Sequence, residues 1–220
     1  RAAGTSLAGQ VVGKGIVVDI SQNFCKIIEI NKEDAFVIVE PGVIRDELNL
    51  ILKEYGLFYG PETSTSNRCM IGGMIGNNSC GSRSLIYGSA REHLKSIKVI
   101  LADGKETEFK AISTKVFQEK ANGIGTVSAL ETNIYKHAKT LFSNQENRIE
   151  IEREFPKKSI PRRNTGYALD LLSDTSPFSN TEEQFNFCKL LAGSEGTLAF
   201  TTEIKLNLVP LPKEHQALIC

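Results

Sequence analysis

From Tyr59 to Gly88 the chain runs through YGPETSTSNRCMIGGMIGNNSCGSRSLIYG with no helical or strand period, crowded with Gly, Ser, Asn and Thr. A stretch of that length inside a compact domain is either functional or disordered, so the fold must be built around it. Two shorter segments share its composition: RAAGTSLAGQ, Arg1 to Gln10, and LLAGSEGTLAF, Leu190 to Phe200. Glycine admits positive φ and lets a ligand come close to backbone N–H groups. Successive N–H groups turned into one concavity bind anions, and Ser and Thr hydroxyls add short donors. Three such segments imply a long ligand with an anionic middle.

The remaining pattern is mixed. GIVVDIS, Gly15 to Ser21, is β-branched and predicts a buried strand. KIIEINKEDAFVIVEPG predicts two strands around a polar turn at Asn31–Asp34, stopped by Pro41-Gly42. VIRDELNLILKEYG predicts a helix through Ile44, Leu48, Ile51, Leu52 and Tyr55 that ends at Gly56. LKSIKVILADGKETEF predicts a hairpin turning at Asp103-Gly104. A helix over Thr126 to Phe142 is expected to bury Val127, Leu130, Ile134, Ala138 and Leu141, while the charged stretch Asn144 to Lys158 has no evident period. TLAFTTEIKLNLVP alternates, with Leu198, Phe200, Ile204, Leu206 and Leu208 on one face, as a half-buried strand or strand pair does. Without regular β-α-β alternation, the expected class is α+β, not a doubly wound sheet.

The charge balance narrows the function. Lys plus Arg equals Asp plus Glu at 26 each, and no basic stripe of the kind that binds nucleic acid is present. No apolar run reaches the ~20 residues of a membrane span. The five cysteines show no paired spacing, which points to reduced thiols in a cytoplasmic setting, and no metal site is expected from the three isolated histidines. Gly4 and Gly9 have the spacing of a phosphate-binding P-loop, but Gln10 and Val11 follow where Lys and Ser or Thr are required. Gly13-Lys14-Gly15 precedes a strand, not a helix, so it is not a dinucleotide fingerprint.

RAAGTSLAGQ, EPGV, GGMIGNNSCGSRSLIYGSAREHLKSIKVILADG, NTGYALDLL and GSEGTLAFTTEIKLNLVP occur in that order. Together they resemble the FAD-binding domain of the vanillyl-alcohol-oxidase (PCMH-type) flavoproteins. The resemblance is strongest to the branch of FAD-linked D-2-hydroxy acid dehydrogenases that act on D-lactate, glycolate and D-2-hydroxyglutarate. It spans nearly the whole chain. It implies two α+β lobes, about 1–90 with the pyrophosphate loop and about 91–210, with 211–220 starting a linker. It also implies a fragment, truncated before its first strand and lacking the C-terminal substrate cap domain. RCMIGGMIGNNSCGS is similar to long members with an added iron–sulfur domain, so such a cluster is expected in a missing part of the parent.

By this resemblance Gly4, Thr5, Ser6, Leu7 and Ala8 contact the FAD pyrophosphate, in accord with the need for several donors and little bulk. A tight turn is the plain alternative. Gly72, Gly73, Gly76, Asn77, Asn78 and Gly81 line the flavin ring and ribityl chain; an Ω-loop packed on itself is the alternative there. Pro61 lies near the adenine or ribose, and Glu195, Gly196 and Thr197 approach the adenosine. Tyr87 is either a ligand contact or a core residue, and Ile204 either covers the adenine or packs inward. Ala2, Ala3 and Ala199 stand where the family has Gly, and Cys80 where Ala is common. With no His in the first loop, and Cys69 and Cys80 away from the attachment position, FAD is expected to be non-covalent. The implied chemistry is hydride transfer from the substrate α-carbon to flavin N5. The catalytic base is assigned to the missing cap and is unknown in this chain. Arg162 and Arg163 face a carboxylate or the flavin, or form a solvated basic turn.

The resemblance implies an FAD-dependent enzyme whose isolated fragment is inactive, a small 2-hydroxy acid as substrate and an unknown electron acceptor. The expected location is cytoplasmic, with attachment to the inner face of a membrane left open for the parent. A sugar or aldonolactone oxidase, a cell-wall precursor reductase, and a non-catalytic nucleotide-binding module are the alternatives.

Overall fold

The computed structural model describes residues 1–9, 11–160 and 162–212. The end of the expected linker, residues 213–220, falls outside them. The architecture is α+β, built on one antiparallel sheet of five strands. β1 (Ile27–Asn31) and β2 (Phe36–Val39) form the first hairpin. Its turn is held where the sequence places it, with Asn31 Oδ1 accepting from Asp34 N at 2.8 Å. β4 (Leu94–Ile100) and β5 (Glu106–Lys110) form the second, around Asp103 and Gly104 at φ +77°. β6 (Phe200–Asn207) enters between them, pairing with β2 on one side and β4 on the other. Strands from both sides of residue 90 thus share one sheet.

Register places Val39, Ile204, Ile97 and Phe109 in one row across four strands, each almost fully buried. That row is the floor of the core. Rings pack around it, with Phe109 belonging to both sets: Phe109, Phe117, Tyr135, Phe142, Phe178, Phe185 and Phe187 meet one another, mostly edge to face, at centroid separations of 4.7–6.5 Å.

α1 (Arg45–Leu52) buries Leu48 and Leu52, runs into a 3₁₀ turn at Lys53–Tyr55 and stops at Gly56, φ +73°, as predicted. Ile51 points outward instead of joining the buried face. β3 (Leu57–Phe58) follows and pairs with the late strand Val209–Pro210, β7. α5 (Thr114–Ala121), capped by Ser113 Oγ, was not legible in the sequence. α6 (Ala129–Ser143) is the expected long helix, with a different buried face. Glu131, Tyr135, Ala138 and Phe142 point inward, Leu130, Ile134 and Leu141 flank them, and Val127 is exposed. The phase shifts because Glu131 brings its partners inside: Oε1 accepts from Lys120 Nζ at 2.8 Å and Thr107 Oγ1 at 3.1 Å, and Oε2 from Val127 N at 2.7 Å. α7 (Gln145–Glu154) takes up the charged stretch; Asn144 caps it and Ile151 is its one buried residue.

Two further expectations fail. Gly15 to Ser21 is not a strand: Ile16 is 97% exposed, Val17 57% and Val18 48%. Its β-branched run has no ladder partner among the described residues, so the sequence opens β-β-α instead of β-β-β-α. Nor is Tyr59 to Gly88 one long loop: it holds the helices α2 (Ile71–Gly76) and α3 (Ser84–Tyr87). α4 (Ala90–His93) follows at once, opened by Ser89 N donating to the Glu92 carboxylate. Among the described residues no helix is long and apolar enough to cross a membrane.

Candidate functional site

α2 is the axis of the site. Three of its six residues are Gly72, Gly73 and Gly76, a poor helix by propensity, so tertiary contacts must hold it. The EPGV segment grips its start: Ile71 N donates to Val43 O at 2.9 Å and Gly72 N to Pro41 O at 2.8 Å. A Cβ on Gly72 would lie 2.5 Å from Pro41 Cβ. Glycine at 72 therefore answers to the proline ring. Gly72→Ala is expected to cost about 2 kcal/mol by overpacking, seen as a lower urea midpoint at unchanged slope; an unchanged midpoint would mean that Pro41 yields freely.

The other two glycine-rich segments close on the same helix. A Cβ on Gly73 would lie 3.2 Å from Ala2 Cβ, which brings the first loop against α2. At the other end Gly193 N donates to Ile75 O at 2.9 Å and Glu195 N to Gly76 O at 2.8 Å. Glu195 Cα would stand 3.6 Å from a Cβ on Gly76. Gly4, Gly9, Gly193, Glu195 and Gly196 all have positive φ, so both loops turn sharply. In the first loop Gly4, Thr5 and Ser6 are half-buried, while Leu7 and Ala8 are exposed.

Past α2, Asn77 Nδ2 donates to Ser79 Oγ at 3.1 Å. Asn78 is fully buried at φ +49°; its Oδ1 accepts from Arg91 N at 2.9 Å, and its Nδ2 has no partner. Gly81 is held against Glu62, whose Cγ would be 2.4 Å from an added Cβ. Glu62 also accepts from Ser82 Oγ at 2.7 Å and Arg83 N at 3.1 Å, and it pairs with the Arg83 guanidinium at 2.7 Å.

The Arg83 hydrogen bond, with those of Ser82 and the Arg83 backbone, holds the Glu62 carboxyl down to about 2. A carboxyl lowered by folding adds stability above its ordinary value near 4.5 and loses it as pH falls toward 2. The stability difference between the parent protein and Glu62→Gln is thus expected to be full above pH 5 and to vanish by about pH 2. A pH-independent difference in acid titrations followed by circular dichroism would refute the assignment.

Pro61 is buried, its carbonyl accepting from Arg45 Nε at 3.1 Å. Tyr87 stacks edge-on against Phe58 at 5.1 Å under the Arg83 guanidinium, with its carbonyl held by His93. Thr197 Oγ1 lies 2.5 Å from Tyr167 Oη. Ile204 is fully buried in mid-sheet between Val39 and Ile97.

Sequence reading passed over Arg91. The side chain is buried; Nη2 donates to Ala192 O at 2.6 Å and to Thr165 O at 2.8 Å, and Nε reaches Ala192 O at 3.2 Å. One guanidinium thus ties the NTGY and GSEG segments to the helix beside Asn78, and burial pulls its pKa below the ordinary arginine value. The Ser89–Glu92 capping box was the available sign of a helix there. Of the two basic neighbours, Arg163 pairs with Asp170, and Arg162 Nε lies 3.2 Å from Cys80 Sγ.

Turned backbone along three segments that meet at α2, with a buried amide donor lacking a partner, fits an extended ligand carrying anionic and polar groups. The FAD binding domain family model matches residues 1–110. D-2-hydroxyglutarate dehydrogenase of Pantoea ananatis is 38% identical over 213 residues, covering 97% of this chain and 20% of that protein. The enzyme of the same name from Escherichia coli is 36% identical over the same shares. A D-lactate dehydrogenase [cytochrome] of Kluyveromyces lactis is 38% identical over 105 residues, 46% of this chain and 18% of that protein. The chain spans about a fifth of the length of these curated relatives. Among solved structures, alkyldihydroxyacetonephosphate synthase superposes with a TM-score of 0.57 at 15% identity, over 97% of this chain and 29% of that one, which speaks to the fold alone. The segment that opens the chain, the glycine helix and the second hairpin all lie in the half that the family model matches, and on that ground this chain belongs to the FAD binding domain family, with the α+β fold of the PCMH-type flavoproteins.

Proposed function

We propose that this chain holds FAD without a covalent bond, as the cofactor-binding part of an oxidoreductase acting on D-2-hydroxy acids. The observation that carries the reading is the convergence of the three glycine-rich segments on α2, with Ala2 at Gly73 and Glu195 at Gly76. In this reading Gly4, Thr5, Ser6, Leu7 and Ala8 offer N–H groups and a hydroxyl to the pyrophosphate. Gly73, Gly76, Asn77 and Asn78 run beside the flavin and ribityl chain, and the unpaired Asn78 amide supplies a donor there. Gly72 and Gly81 act one step back, letting Pro41 and Glu62 seat the helix and the loop after it. Glu195, Gly196 and Thr197 flank the adenosine, with Pro61 nearby; Tyr87 and Ile204 support the site from within the fold.

Bound FAD supplies the hydride acceptor. This chain orients the cofactor, while the parent's remaining length supplies the substrate cap, the base and an iron–sulfur cluster. The reduced thiols of Cys25, Cys69, Cys80 and Cys188 accord with a cytoplasmic parent.

The test is to mix the purified chain with FAD, desalt it and record its visible spectrum, then precipitate it with acid. The expected result is a retained flavin band that passes wholly into the acid supernatant. A colourless protein overturns the FAD assignment for this chain, and a band that stays with the precipitate overturns the non-covalent one.

A further inference from the structure

Among the described residues five buried side-chain polar atoms have no hydrogen-bond partner, and three of them, Arg148 Nε, Arg163 Nε and Asp170 Oδ1, belong to residues that line a single cleft. The cleft measures about 490 Å³ and lies between α7 and α8 (Leu169–Ser173), bordered at one side by Phe155 to Lys158 and by Arg163. That volume suits a small molecule.

Its charges are partly spent. Arg163 pairs with Asp170 and Lys158 with Asp174, while Arg148 Nη1 donates to Phe178 O. Arg148 and Lys157 have no carboxylate partner among the described ion pairs. A buried guanidinium donor or carboxylate oxygen left unpaired carries its full desolvation cost, so such atoms mark a place completed by something else. The lining is mixed: Arg148 Nε, Arg163 Nε and the surplus Lys157 ammonium call for an anionic oxygen group and outnumber the Glu152 carboxylate on the same lining, and the remaining Asp170 oxygen calls for a hydroxyl or amine donor beside it.

We propose that the α7–α8 cleft binds a small hydroxylated carboxylate, its carboxylate between Arg148, Arg163 and Lys157 and its hydroxyl donating to Asp170. The inference rests on the cleft alone and is tested without FAD, so it stands or falls separately from the flavin reading.

The test follows the arginine Nε–Hε resonances of the full chain by NMR at constant ionic strength. D-malate is the hydroxylated probe, succinate lacks the hydroxyl and sodium chloride is the control. The expected result is saturable movement of the Arg148 and Arg163 signals with D-malate and about tenfold weaker binding of succinate. Arg148→Gln is expected to weaken D-malate about tenfold, and Asp170→Asn to remove the preference for D-malate over succinate. Lys157→Gln, on the exposed rim, serves where a buried variant does not fold, and is expected to weaken both acids alike. Movement that is equal for all three salts, or that survives the arginine substitution unchanged, overturns the proposal. So does a cleft that shows no saturable response, which would mean that ordered water alone completes these atoms.

Discussion

Arg91→Ala is expected to lower the unfolding free energy by about 3–5 kcal/mol, because it strips the donors from one buried and one half-buried carbonyl and leaves a hole where a guanidinium sat. The carbonyls are those of Thr165 and Ala192, far along the chain from Arg91 and both bordering the candidate site. Arg91→Lys keeps the charge but loses the planar fork that serves both carbonyls, so an intermediate loss is expected. Urea unfolding followed by circular dichroism reads the stability, and flavin retention at a temperature where the variant is still folded reads the site. Loss of retention in the folded variant would make Arg91 a positioning residue of the site. Full retention would confine it to the scaffold. A stability loss below about 1 kcal/mol would mean that the carbonyls find water instead.

The second large effect is expected at Glu131. Its fully buried carboxylate serves Lys120, Thr107 and the Val127 amide, and the Lys120 side chain is itself only 16% exposed. Removing one member of a buried pair leaves the other charge uncompensated, so Glu131→Ala is expected to cost about 3–5 kcal/mol. Replacing both members by apolar residues, Glu131→Leu with Lys120→Met, is expected to recover most of that loss, because the desolvation of both charges disappears together. Thermal unfolding of the three proteins decides it. If the double variant is no better than the single one, the carboxylate matters through its bonds to Thr107 and Val127, not through the ion pair.

What could be read from the sequence divides by the range of the interactions that decide it. Both hairpins were legible because their turns are local chemistry: an Asn31–Asp34 ring of side-chain bonds and an Asp103-Gly104 corner. α1 was legible through its period and its glycine stop. α6 was legible as a helix but not in its phase, since nothing in its own residues says that Lys120 and Thr107 wait to receive a carboxylate. The Gly15–Ser21 run carries strand residues with no strand beside it, and propensity does not report a missing partner. α2 was hidden for the opposite reason. Its glycines read as loop, and only Pro41, Ala2 and Glu195, brought close by the fold, explain why a helix there must be so narrow. The same long reach concealed Arg91. The three glycine-rich segments were visible as related, but not that one short helix gathers them.

The middle strand of the sheet is also its last long one. β2 and β4 do not touch each other; β6 stands between them, joined to both. A ribosome delivers the chain from its first residue onward, so both hairpins emerge with open apolar ladders facing an empty slot. They wait until Phe200–Asn207 has been made. The half of the chain that the family model matches contains four of the five strands and lacks the one that unites them. Halted synthesis or early cleavage would therefore release two sticky edges together, the species that chaperones exist to hold and that aggregates grow from.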